Sequence, residues 1–276
     1  MKAIDNEDGV VIQKRLSLQS CGKSVVIISI NRPTKKNCFN TKVATSLARI
    51  FRSLQNDAND DIAAIILTGE GSSFCVGADL ANPPNPIWQS SDLPHHLIDN
   101  PVHQMSLSSI PIIAALKGYV ITGGFELALA CDILVGDQTV VFRDTHCKFN
   151  LAPCWGLSQK LQRRIGVGRA KLMSMGAIPI KAPQAHSWGL LDILVHEESS
   201  LERAVKIADS IGKNSPDMVV RYKKAIDEGG NMTLEQGLKR ERALAMAHYI
   251  EIVQDNETFN DAKDYITDAN RPRSKL

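Results

Sequence analysis

The chain of 276 residues is long enough for one large domain, alone or with an appendage, and for a sizeable core. Its 43% hydrophobic and 22% charged residues are ordinary for a globular protein, and the balance of 32 basic against 30 acidic residues argues against a nucleic-acid-binding protein. No apolar run approaches the ~20 residues that span a bilayer, so no membrane partner is expected.

The N-terminal residues and the cysteines indicate a chain without a leader that stays in a reducing compartment. Residues 1–8 are too acidic and polar for a secretory or transit signal. The six cysteines form no Cys-x-x-Cys pair and have no metal-ligand spacing. We therefore expect free thiols and no metal site.

The first half of the chain alternates predicted strands and helices. Apolar runs predict strands at residues 10–12, 24–30 and 63–67. Apolar residues at helical spacing predict a helix over 41–58, capped by Asn40 or Thr41. Residues 81–94, rich in Pro, Asn and Ser, predict a mobile loop, which a weaker helix follows to about Leu107.

The second half begins in the same way and then becomes helical. Strands are predicted at residues 111–116, 133–135 and 190–195, and after residue 198 only helical periodicity remains, over 201–211, 216–226, 233–252 and 257–266. The predicted organisation is a β/α core at 1–198, a helical region at 199–268 and an exposed tail at 269–276.

A glycine pair, Gly123 and Gly124, opens a short apolar helix that contains one carboxylate, Glu126. Glycine lets a backbone approach a ligand closely, and the first N–H groups of a helix have no internal partner, so this turn suits an oxygen that becomes negative during a reaction. Burial in an apolar helix would raise the pKa of Glu126 toward neutrality, as a general acid–base requires. The alternative is a carboxylate that only complements the helix dipole.

The run from Gly123 to Asp132, Gly-Gly-Phe-Glu-Leu-Ala-Leu-Ala-Cys-Asp, resembles the signature of the crotonase superfamily, the enoyl-CoA hydratases and isomerases. Three further segments match in the family's order, over roughly residues 10–265. They are Asn31-Arg32-Pro33 with Asn37, residues 65–80, and Pro153-Cys154-Trp155-Gly156-Leu157 with the residues that follow to Leu161.

The resemblance implies an α/β fold, the crotonase spiral of ββα turns, with C-terminal helices that pack in a homotrimer or a homohexamer. It also implies an acyl-CoA thioester substrate whose carbonyl oxygen is held by the amides of Ala78 and Gly123, with Asp79 and Leu80 beside them. Glu126 would be the acid–base. CoA arrives as part of the substrate, so no separate cofactor is expected.

The sequence departs from the family pattern at His146, which stands where the well-known hydratases have a second glutamate. Three hypotheses compete. His146 titrates in place of the carboxylate, Asp144 reaches the site from a shifted register, or His146 is a structural residue and Glu126 acts alone.

Contacts with the rest of the substrate are weaker predictions. Arg32, Lys35 and Lys36 could meet the phosphates of CoA, although surface lysines are usually only solvated charges. Trp155 and Trp88 are candidate walls of the acyl pocket, and a core position is an alternative for Trp155. Residues 81–104 are expected to line the acyl tunnel.

The last three residues, Ser274-Lys275-Leu276, match a receptor-read peroxisomal address. The leading hypothesis is therefore an enoyl-CoA hydratase of peroxisomal fatty-acid β-oxidation, with the import receptor as a partner. A Δ3,Δ2-enoyl-CoA isomerase that uses Glu126 alone, a CoA thioester hydrolase and a non-catalytic scaffold of the same fold are the alternatives.

Overall fold

The computed structural model describes residues 2–5, 9–56, 61–82 and 98–254. The strands are β1 (Lys2–Asp5), β2 (Val11–Ser17), β3 (Ser24–Ile30), β4 (Ile62–Gly69), β5 (Ile112–Leu116), β6 (Tyr119–Ile121), β7 (Ile133–Gly136), β8 (Val141–Arg143), β9 (Ile180–Lys181) and β10 (Ile193–Leu194). The helices are α1 (Thr41–Asn56), α2 (Pro101–Ser106), α3 (Gly123–Leu129), α4 (Leu157–Ile165), α5 (Val167–Gly176), α6 (Ala182–Ser187), α7 (Ser200–Gly212), α8 (Pro216–Gly229) and α9 (Leu234–Gln254).

Two sheets organise the described strands. The larger sheet has the order β1-β2-β3-β4-β5-β7-β10, antiparallel over its first three strands and parallel from β3 onward. The smaller sheet has the order β6-β8-β9. From β5 to β8 consecutive strands alternate between the sheets, since β5 and β7 belong to the larger one while β6 and β8 belong to the smaller. This alternation is the predicted α/β spiral of ββα turns.

The core lies on both faces of the larger sheet, because its central parallel strands are covered on each side. Every residue of β4 is buried, and its side chains alternate between two apolar clusters. Ile65 and Leu67 pack in the cluster that contains α1 and α3. Ala64 and Ile66 pack in the cluster that contains α7, whose Ala204 and Ala208 are fully buried. The second cluster thus fixes α7 onto the sheet.

The predicted elements agree with these bounds in most places. Helix α1 begins at Thr41, and the side chain of Asn40 accepts the amide of Val43, which makes Asn40 the cap. The strand predicted at 10–12 continues to Ser17, and the one predicted at 190–195 is shorter, at Ile193–Leu194. The helix predicted at 257–266, most of the loop at 81–94 and the tail lie outside the described residues.

The chain divides into two compact units, Met1–Val219 and Val220–Leu276. The sequence predicted a boundary after residue 198, where the strand pattern ends, but α7 packs on the sheet and belongs to the first unit. In the second unit, an ion pair between Glu228 and Arg240 joins the end of α8 to α9. In the part of the chain that is described, no helix has the length and apolar character needed to span a membrane.

Candidate active site

The glycine pair forms the turn from β6 into α3. Thr122 has a positive φ of 51°, and its amide donates to the carbonyl of Arg143, so the chain turns sharply before the helix. A Cβ on Gly123 would lie 2.5 Å from Cζ of Phe39, and one on Gly124 would lie 2.3 Å from the carbonyl oxygen of Cys75. Position 124 therefore requires glycine, and a side chain at position 123 would have to displace the Phe39 ring.

The amides of Ala78 and Gly123 lie at neighbouring places in the same cavity. Ala78 and Phe39 form a parallel β-bridge. In this bridge the Phe39 amide donates to the carbonyl of Gly77, and the Asp79 amide donates to the carbonyl of Phe39. Since alternate amides of an extended segment face opposite sides, the amide of Ala78 faces away from this bridge. A Cβ on Gly77 would lie 3.4 Å from the nitrogen of Gly123. Across the described residues, neither the Ala78 nor the Gly123 amide donates to a protein group.

Glu126 is buried at the side of this cavity, with 2% of its surface exposed. Its Oε1 accepts the amides of Trp155 at 2.8 Å and Leu157 at 3.2 Å. Burial raises the pKa of Glu126 above its ordinary value, although the two amides and His146 act in the opposite direction. The predicted acid–base residue thus has the buried, pKa-raised environment that this chemistry requires.

His146 lies opposite Glu126, with Nε2 4.0 Å from Oε2 of the carboxylate. On its other side, Nδ1 is 2.7 Å from Oδ1 of Asp144, and the same oxygen accepts the His146 amide at 3.0 Å. Burial alone would raise the pKa of Asp144, but hydrogen bonds from His146 and Ser174 outweigh it and lower the pKa. His146 lines the cavity, whereas Asp144 lies behind His146 and outside the cavity lining.

A cavity of about 400 Å³ joins these groups. Phe39 and Trp155 form one wall, with their rings stacked at 4.8 Å, so Trp155 is both a buried residue and a wall of the cavity. Leu80 and Phe149 line it as exposed apolar side chains. The remaining lining residues are Val76, Ala78, Thr122, Gly123, Glu126, Thr145, His146, Asn150, Leu151, Ala152 and Cys154. The lining is mostly apolar, as a site for an acyl chain requires.

Asp79 and Arg32 form an ion pair beside the Ala78 amide rather than in the cavity lining. Nη2 of Arg32 lies 2.9 Å from Oδ2 of Asp79, and Nη1 donates to the carbonyl of Cys38 at 2.7 Å. A hydrogen bond from Arg32, with Lys35 nearby, lowers the pKa of Asp79 despite partial burial. The guanidinium of Arg32 therefore has protein partners, and its contact with CoA phosphates stays a prediction.

The two lysines predicted to contact CoA differ in their surroundings. Lys35 is half-exposed and lies 3.5 Å from Asp79. Lys36 is exposed, with Nζ 4.7 Å from the centre of the Tyr119 ring. Both therefore keep charge available at the surface. The other predicted wall, Trp88, lies outside the described residues, as does most of the segment 81–104.

Several site groups were not found by sequence reasoning. The amides of Trp155 and Leu157 hold Glu126, yet any residue type supplies a backbone donor, so no sequence signal marks them. Phe39 had a usable signal, since it follows the matched Asn37 by two residues. The buried hydroxyl pair of Thr122 and Thr145 joins the turn before α3 to the segment that carries His146.

Comparison with known proteins identifies the class to which this fold and site belong. A sequence model described as enoyl-CoA hydratase/isomerase matches residues 20–257. The chain therefore belongs to the enoyl-CoA hydratase/isomerase family, a family of enzymes, and the suspected crotonase resemblance is confirmed.

Individual relatives agree with this assignment. The chain is 35% identical to a probable peroxisomal enoyl-CoA hydratase 1 of Arabidopsis thaliana, covering 98% of this chain and all of the relative. It is 31% identical to a short-chain-enoyl-CoA hydratase of Clostridium acetobutylicum, covering 80% of this chain and 84% of the relative.

Solved structures confirm the fold. The crystal structure of an enoyl-CoA hydratase from Bacillus anthracis matches with a TM-score of 0.76 and 30% identity, over 87% of this chain and 92% of the other. One from Geobacillus kaustophilus matches with a TM-score of 0.79, over 96% and 98%, and at 21% identity it supports the fold alone.

Proposed function

We propose that the protein is an enoyl-CoA hydratase that adds water to 2-trans-enoyl-CoA thioesters. The observation that carries this proposal is the pair Glu126 and His146, whose side chains approach to 4.0 Å in the cavity that also contains the Ala78 and Gly123 amides. Hydration needs one group to take a proton from water and one to deliver a proton to carbon, and two titratable groups satisfy that need.

In the proposed reaction, the amides of Ala78 and Gly123 donate to the thioester oxygen and stabilise the enolate. His146 takes a proton from water, whose oxygen bonds to the β-carbon, and Glu126 delivers a proton to the α-carbon. One O–H bond of water and the α,β π bond break, while one C–O and one C–H bond form. These groups need no resident metal or redox cofactor, and CoA enters with the substrate.

Purified protein incubated with crotonyl-CoA tests the proposal through the absorbance of the conjugated enoyl group. A hydratase removes this signal. A Δ3,Δ2-isomerase would instead create it from a 3-enoyl-CoA and leave crotonyl-CoA unchanged. Release of free CoA thiol would indicate a hydrolase, and inactivity on all these acyl-CoAs would indicate a scaffold. Any of the last three results contradicts the proposal.

We further propose that the enzyme acts in peroxisomal fatty-acid β-oxidation and binds the peroxisomal import receptor. The support is the tripeptide Ser274-Lys275-Leu276 together with the name of the Arabidopsis relative. A fluorescent protein fused ahead of the chain should enter peroxisomes, and removal of the three residues should leave it in the cytosol. Peroxisomal import of both forms would contradict this assignment.

We also propose a homotrimer or homohexamer that binds CoA phosphates through Lys35 and Lys36. Light scattering should give a mass three or six times that of one chain. Replacing both lysines by methionine should raise KM for crotonyl-CoA and leave kcat within about twofold, since exposed charges assist binding more than chemistry. A monomer, or an unchanged KM, would overturn the corresponding proposal.

A further inference from the structure

Asp144 is a buried carboxylate outside the cavity lining, and it contacts His146 through both the ring and the amide, and Ser174 as well. Its Oδ1 lies 2.7 Å from Nδ1 of His146 and accepts the His146 amide at 3.0 Å. Both side chains are buried, at 2% and 6% exposure. A carboxylate held in this way behind an imidazole restricts the orientation of the ring.

We propose that Asp144 is a positioning residue that fixes the tautomer of His146, so that an Asp–His pair performs the task of the second carboxylate in this enzyme. This inference rests on the proposed hydratase function. It adds a role for Asp144 and an ordered direction of proton transfer.

The geometry determines the tautomer. An ionised carboxylate only accepts hydrogen bonds, so the proton of neutral His146 must lie on Nδ1. Nε2 then carries a lone pair on the side of the ring that faces Oε2 of Glu126, 4.0 Å away. Two acceptors at this separation can both lie about 2.8 Å from a single water oxygen. The Nε2 atom is thus arranged to accept a proton from a water that Glu126 also contacts.

The proton balance of the cycle follows from this arrangement. Nε2 gains the water proton while protonated Glu126 gives its proton to the α-carbon, and the negative charge of Asp144 stabilises the imidazolium that forms. At the end of the reaction His146 has gained one proton and Glu126 has lost one. Transfer from Nε2 to Oε2 through the next water restores both groups.

Other titratable groups surround the pair, and each belongs to a different element. Glu126 faces His146 from α3, and Asp144 faces it from the segment after β8. The Cys154 thiol lines the cavity, where burial and Glu126 raise its pKa to about 11. Burial lowers the pKa of Lys160 of α4, while the charge of Glu126 acts in the opposite direction. Of these groups, Asp144 alone contacts Nδ1, so its charge can be tested separately.

The first test replaces Asp144 by Asn, which can keep both hydrogen bonds through its carbonyl oxygen while removing the charge. We expect kcat for crotonyl-CoA hydration to fall about 10²-fold or more with KM within about threefold. Asp137→Asn is the matched control, since Asp137 likewise accepts the amide two residues ahead, at Thr139, and has no histidine to hold.

The second test uses His146→Glu, which introduces the carboxylate that the family pattern has at this position. In this background Asp144 faces a like charge, so Asp144→Asn should leave kcat unchanged or raise it, reversing its effect in the wild type. If Asp144 had only a structural role, Asp144→Asn would lower kcat both in the wild type and in His146→Glu. Equal losses in the two backgrounds would overturn the proposal.

A third measurement separates this inference from the proposed function. Proton NMR of protein labelled with ¹⁵N-histidine should show a downfield Nδ1–H resonance for His146, identified by its absence in His146→Gln. It should be lost in Asp144→Ala. If the wild-type protein shows this resonance but does not hydrate crotonyl-CoA, the proposed hydratase function is refuted and the proposed tautomer of His146 stands. If the enzyme is active and neutral His146 is protonated at Nε2, only the inference about Asp144 is refuted.

Discussion

The amide of Trp155 donates to Oε1 of Glu126 at 2.8 Å, so the residue that forms the aromatic wall also fixes the carboxylate. Leu157, the first residue of α4, donates to the same oxygen. The two oxygens of Glu126 are therefore inequivalent, because Oε1 is occupied by two amides and Oε2 faces His146. Proton transfer through Oε2 alone would keep the carboxylate in a single orientation throughout the reaction.

Replacement of Glu126 by Gln should remove most hydratase activity. The amide oxygen of Gln can still accept the Trp155 and Leu157 amides, so the fold is kept while the proton carrier is lost. We expect kcat to fall about 10²- to 10⁴-fold, the usual range for a general acid–base. Glu235→Gln on the surface of α9 is the control and should be fully active. Unchanged turnover in Glu126→Gln would exclude Glu126 from the chemistry.

The same substitution should make the first unit more stable at neutral pH. The folded pKa of Glu126 is raised, so between its unfolded value of about 4.5 and the raised value the native state binds more protons than the unfolded state. Stability from this group therefore falls as the pH rises through that interval. Urea midpoints of Glu126→Gln and wild type should differ little at pH 4, and the variant should be the more stable at pH 8. If the difference between the two urea midpoints narrowed with rising pH, it would contradict the conclusion that burial raises the pKa of Glu126.

Much of the fold could be predicted because local signals agreed with tertiary structure. The apolar run at residues 62–69 is a strand buried on both faces, which is why it lacks polar alternation. The glycines at 123 and 124 marked a close backbone approach, and the clashes that a Cβ would make there give the physical reason. The boundary after residue 198 could not be placed, since the packing of α7 depends on partners far along the chain.

The candidate site was only partly predictable for a similar reason. Glu126 and His146 were accessible as side-chain chemistry at recognisable positions. The pairing of Asp144 with His146 required the local turn, in which Oδ1 reaches both the amide and the ring two residues ahead. The ion pair of Arg32 could not be predicted, because its carboxylate partner Asp79 is 47 positions away in the chain.

Arg32 should support the Ala78 amide rather than bind CoA. Its guanidinium donates hydrogen bonds to the carbonyl of Cys38 and to the carboxylate of Asp79. These two residues flank the β-bridge between Phe39 and Ala78. Arg32→Met would leave Asp79 with the more distant Lys35 and the Ala81 amide, and we expect a loss of about 2 kcal/mol in unfolding free energy, below the range of a fully buried pair. It should lower kcat more than it raises KM. Lys35→Met is the comparison variant, which should raise KM and leave kcat nearly unchanged. If Arg32→Met also changed KM alone, that result would favour the hypothesis that Arg32 binds CoA phosphates.

Alanine substitutions should separate the glycines of the site from an ordinary helical glycine. In Gly124→Ala the new methyl group meets a backbone carbonyl at 2.3 Å, which cannot rotate away, so α3 must shift and activity should fall at least ~10²-fold. Gly123→Ala pushes on the Phe39 ring, which can yield, and a smaller loss is expected. Gly168→Ala in α5 meets nothing within 4 Å and should raise stability by about 0.5–1 kcal/mol with full activity. Kinetic assays and thermal unfolding check all three variants. A Gly124→Ala variant that is active and stable would show that the site tolerates a displacement of the Gly123 amide.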